Sequence, residues 1–100
     1  MAKSFNEIIS DIDAHLLKSG KKYYSEFYIG VSKNARKRLF EEHHVDEEHS
    51  WWIYRTAASS DIARRVEKYY IDLGMRGGIG GGDNTATMVY CYVVSPTTTE

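Results

Sequence analysis

An arginine among lysines, a single glutamate inside an apolar stripe and a glycine run closed by Asp83-Asn84 are the residues of this chain with chemistry to offer. Lys33, Arg36, Lys37 and Arg38 crowd the first turns of one segment, and Glu41 and Glu42 follow them. That order opposes the helix dipole, so the basic cluster reads as serving an anion, with a solvated helix face as the plainer alternative. Glu67 lies beside the stripe Ile62, Val66, Tyr69, Tyr70 and Leu73. A carboxylate there can hold Mg²⁺ by one ligand plus waters, or pair on the helix surface with Arg64 or Lys68. Six of the eight glycines fall between 74 and 84. Such turns form amide nests for anions or merely connect elements; GxxxxGK[ST] is absent, and the run follows a helix, so it is no P-loop. His43, His44 and His49 with Asp46, Glu47 and Glu48 invite a zinc reading. No HExxH is present, however, and an acidic loop with scattered histidines is ordinarily solvated. Trp51-Trp52 and the eight tyrosines could stack on bases, although strand alternation turns one tryptophan of the pair into core.

The elements that must position these residues follow from periodicity. Phe5, Ile8, Ile9, Ile12, Leu16 and Leu17 recur at helical spacing, Ser4 and Glu7 fit a capping box, and Ser19-Gly20 stops the helix, predicting one over 5–18. Tyr23 to Val31 alternates as a strand, with Phe27, Ile29 and Val31 on one face and Tyr24, Glu26, Tyr28 and Gly30 on the other. A second helix is expected over 34–44, a loop over 44–50 and a strand over Trp51 to Thr56. A third helix, capped by Ser59 or Ser60, ends at Gly74, and a last strand runs from Met88 to Ser95 with Tyr90 and Tyr92 sharing a face. Pro96 and the Thr-rich residues behind it read as a flexible tail, 96–100.

Length and charge bound the rest. One hundred residues leave room for a single domain, 1–100, and 42% apolar with 27% charged residues is the balance of a folded chain. Thirteen Lys/Arg against fourteen Asp/Glu exclude a basic coat over the whole surface, so any nucleic-acid contact must be local. Cys91 is the only thiol, which excludes an internal disulfide and zinc-finger spacing. The longest apolar run, Met88 to Val94, is too short to span a membrane. The expectation is a cytoplasmic protein with no membrane contact.

Tyr28-Ile29-Gly30, then Ser32, Asn34 and Arg38-Leu39, resembles the second half of the motif that names the GIY-YIG nuclease superfamily, whose arginine follows the glycine by eight residues. Trp51 to Tyr54, then Ser59/Ser60, Ala63, Glu67 and Ile71, resembles that family's later strand and helix, and Asn84 resembles its late asparagine. The resemblance covers about residues 24–84 through three short motifs in order. It implies an α+β fold, a small three-stranded mainly antiparallel sheet flanked by three helices. It further implies a nuclease that cleaves phosphodiesters with Mg²⁺ or Mn²⁺. Glu67 would hold the metal, Arg38 would stabilise the transferring phosphoryl group, and Tyr28 or Tyr90/Tyr92 would activate water through a phenol of lowered pKa. Gly30, Asn84, Lys37 and Arg64 would contact a nucleic acid, with DNA favoured over RNA.

Two departures stand out. The family's Gly-Ile-Tyr strand is missing, and Met88–Val94 is expected to take its place beside Tyr28, as in a circular permutation. The family's histidine falls four residues after the arginine; that position is Glu42, and His43 is one later, rotated about 100° on a regular helix. These departures and the acidic balance favour the alternative, a catalytically inactive module that binds nucleotide, nucleic acid or protein, such as a phage or mobile-element accessory protein. A purely structural interaction module would use the aromatic surface without Arg38 or Glu67.

Overall fold

The computed structural model describes residues 2–78 and 85–100. Three strands form one antiparallel sheet in the order β1-β3-β2: β1 is Phe27–Ser32, β2 is Trp52–Thr56 and β3 is Met88–Val93. The last strand therefore lies in the centre, with Tyr28 opposite Tyr92, Gly30 opposite Tyr90 and Tyr54 opposite Tyr90 from the other side. Helix α1, Phe5–Lys18, starts on the Ser4/Glu7 capping box, and α3, Ser60–Leu73, starts on the Ser59 side chain and stops at Gly74. Between them α2 is short: Ala35–Lys37, capped by Asn34, runs on into a π-helical turn over Arg38–Glu42. Tyr24–Glu26, expected as strand, is instead a 3₁₀ turn, braced by Glu26 accepting from the Lys22 and Tyr23 amides.

Strand alternation separates two cores. Phe27, Ile29, Val31, Ile53, Val89 and Cys91 face α1 and α3 and pack on Ile8, Ile12, Ala63, Val66 and Tyr70. Tyr28, Trp52, Tyr54, Tyr90 and Tyr92 face the other way, under Ala35, Leu39 and Val45. The tyrosine-bearing face, expected to be the solvated side of a half-buried strand, is thus a second core, because α2 and the π turn cover it. Tyr90 and Tyr92 are fully buried there. Among the described residues no helix is long and apolar enough to cross a membrane.

The free edge of β1 is partly occupied. Arg76 donates its amide to Phe27 O and accepts from Ile29 N–H, making a short parallel bridge beside Tyr28. Gly77 follows against the strand, where a Cβ would stand 2.6 Å from Ile29 O. The expected flexible tail is tied down: Ser95 and Thr98 close a turn around Pro96, and Thr99 and Glu100 lie back against His43 and Arg76.

Candidate active site

Tyr90 is the hub. Its ring crosses β1 above Gly30, where a Cβ would sit 2.4 Å from both Cζ and the hydroxyl. No side chain fits that gap, so the glycine of Tyr28-Ile29-Gly30 is required by the phenol that lies on it. At the far side the Tyr90 hydroxyl meets His43 Nε2 at 2.8 Å and shares a side-chain hydrogen bond with Arg38. Tyr28 stacks on Tyr92 at 5.2 Å and packs on the His43 ring at 4.8 Å, and Gly78 N–H is directed at its hydroxyl. The segment after Met75 thus brings its first glycines to Tyr28; Asp83 and Asn84 lie outside the described residues.

The π turn explains how His43 joins this group. Its amide donates to Arg38 O, five residues back, at 2.8 Å. A π turn adds one residue to a helical turn, so it absorbs the extra residue between Arg38 and His43 and restores the shared face that a regular helix would lose. His44 then takes a left-handed backbone, φ 58°, and turns the chain out of the helix. His43 itself is buried.

Glu67 reaches the same edge from α3. Only 4% of it is exposed, so the surface ion-pair alternative does not describe it. Burial pushes its carboxyl up to about 7, with Arg64 drawing it back, and its charge acts on the phenols of Tyr28 and Tyr90. Burial raises Tyr28 above its ordinary value and pushes Tyr90 up to about 12, outweighing the lowering effect of Arg38 on each. Burial also lowers His43, which is therefore a neutral imidazole at physiological pH. Arg38 is half-buried, pairs with Glu42 at 3.4 Å, and keeps a buried Nε with no hydrogen-bond partner among the described residues. A buried donor left unmade costs about 1–3 kcal/mol, which an anionic oxygen would recover.

The remaining expected residues separate. Lys37 and Lys33 line a cleft of about 300 Å³ with Val31, Ser32, Asn34, Arg38 and Glu42. Arg36 is drawn to Glu47 and over Phe40, and Arg65 lies in a different cleft with Phe5, Lys68, Tyr69 and Asp72. Arg65 thus lies apart from the cleft that gathers Lys33, Lys37 and Arg38. His49 pairs with Asp46 and His44 with Thr99, and among the described residues no three of His, Cys, Asp and Glu converge on a metal position. Mg²⁺ needs one or two carboxylates with waters and substrate oxygens. Among the described residues Glu67 is the buried carboxylate that fits that demand, and burial resists its charge, whereas a protein cage for zinc is not formed by the described residues. Thr99, which sequence reasoning passed over, touches His43 in two ways, through its amide and its carbonyl, and no local pattern signals a contact across 56 residues. No family model, curated protein or solved structure matches the chain.

Proposed function

We propose that this chain is a metal-dependent nuclease domain of the GIY-YIG kind, cleaving a phosphodiester at the β1 edge. The observation that carries the reading is the meeting of two phenols, a neutral imidazole and a guanidinium, with the buried carboxylate of Glu67 acting on both phenols from α3. Tyr90 donates to His43 Nε2 and accepts from Arg38, which holds the imidazole and the guanidinium in one group. Tyr28, the less buried of the two phenols, orients an attacking water, while the unspent Nε of Arg38 meets a phosphate oxygen. Glu67 would hold Mg²⁺ or Mn²⁺, which when bound supplies charge at the phosphate and the leaving oxygen. Tyr28, stacked on Tyr92 and packed on the His43 ring, helps to fix that ring beside Tyr90. Lys33 and Lys37 beside Arg38 extend the contact along a nucleic-acid backbone, with DNA favoured.

The test is cleavage of single- and double-stranded DNA and RNA with Mg²⁺ and with Mn²⁺. Glu67→Gln is expected to lower turnover by about 10²–10³-fold with nucleic-acid binding largely kept, and Arg38→Ala to lower both. Wild-type protein that binds but never cleaves would leave the inactive binding module, and undiminished cleavage by Glu67→Gln would remove the metal role.

A further inference from the structure

We propose that the residue 95–100 segment is a working part of the site, and that the Thr99 carbonyl is the group that positions His43. His43 Nδ1 lies 2.6 Å from Thr99 O, and a carbonyl oxygen can only accept. Nδ1 must therefore carry the imidazole proton. The neighbouring Tyr92 hydroxyl, 3.0 Å from the same nitrogen, is then free to turn its own proton toward Thr99 O at 3.5 Å. With Nδ1 protonated, the neutral ring leaves Nε2 as a bare acceptor, 2.8 Å from the Tyr90 hydroxyl. A chain of Thr99 C=O, imidazole and Tyr90 O–H results, pointing the phenol proton in one direction. This is the tautomer free imidazole favours less, so something must hold it.

The segment is built to hold it. Thr99 N–H donates to His43 O at 2.7 Å, so the two residues exchange a backbone bond and a ring bond. The Thr99 hydroxyl meets His44 Nδ1 at 3.1 Å, and Glu100 anchors on Arg76 at 2.8 Å, beside the β1 edge. The Ser95–Thr98 turn sets the angle of return. Thr99 touches no reacting atom; it acts through His43.

The role in turnover rests on the nuclease reading, but the hold on the ring does not, and ¹⁵N imidazole NMR at about pH 8 separates them. Wild-type His43 is expected as the Nδ1–H form. Thr99→Pro removes the N–H that docks the segment, and is expected to release the ring to the Nε2–H form. It should also lower kcat by about tenfold to a hundredfold with KM little changed, the range for losing a group that orients a histidine. An Nε2–H ring in wild type, or a ring unmoved in Thr99→Pro, overturns the proposal, as does a released ring with unchanged kcat. If Thr99→Pro fails to fold, the wild-type tautomer decides alone. Wild type that never cleaves, yet shows the Nδ1–H ring and its release in Thr99→Pro, defeats the nuclease reading and upholds the positioning of His43.

Discussion

Glu67 makes the sharpest residue-scale prediction because its charge is what the fold resists. The folded pKa of about 7 lies above the ordinary carboxylate value of 4.5, so folding favours the protonated form. Below pH 4.5 this costs nothing; the penalty grows as pH rises through 4.5 to 7 and is complete above. By linkage a shift of that size amounts to about 3 kcal/mol. Glu67→Gln is thus expected to be more stable than wild type at pH 8 and equal to it at pH 4, read by urea titration at both. Mg²⁺ that binds this carboxylate should recover stability at pH 8 in wild type only. A variant with the wild-type slope between those pH values would mean the carboxyl is solvated. Gly30→Ala is the companion case. Its Cβ would overlap the buried Tyr90 ring, costing about 1–3 kcal/mol and separating Tyr90 from His43, seen as a lower melting temperature. The motif spacing singled out Gly30, Arg38 and Glu67 from sequence. It could not supply the burial of Glu67, which comes from the packing of α3 on the sheet, nor the raised phenols, which come from covering the tyrosine face.

The elements were readable where one stretch of chain sets its own geometry. The capping box fixes the start of α1, Ser59 and Gly74 bound α3, and alternation sorts β1 and β3 onto two faces. What escaped is set by distant contacts. Nothing in Arg38–Glu42 announces a π turn; it exists because Leu39 must stay under the sheet while His43 reaches Tyr90. That cause is testable, since a π turn is a regular helix with one residue added. Deleting exposed Glu41 should let an ordinary turn carry His43 to the same place, with stability within about 1 kcal/mol of wild type, or within about 8 °C in melting temperature. The His43 ring resonances should keep the signature of the Tyr90 bond. Loss of that signature in a folded deletion variant would mean the turn itself, and not its register, is what the site requires.

At the scale of the whole molecule, charge decides how a nucleic acid could be held. The chain carries one net negative charge, and its cations are scattered: Arg36 goes to Glu47, Lys68 to Asp72, and Arg65 to the α1–α3 side with Asp61. Lys33, Lys37 and Arg38 gather on the cleft beside β1, and Glu42 sits among them. A duplex laid there has about two or three phosphates neutralised, so log K should fall against log salt with a slope of about −2 to −3, far shallower than a DNA-coating protein shows. Lys37→Ala should make that slope shallower by about one, because an exposed lysine at the cleft acts as a single phosphate contact. Arg65→Ala should leave it unchanged, since its cleft faces away. Measured by fluorescence anisotropy across low to physiological salt, a slope near zero would assign the surface to a protein partner. An equal effect of Lys37→Ala and Arg65→Ala would mean the nucleic acid wraps both sides, and the β1 edge would lose its claim to be where the backbone is held.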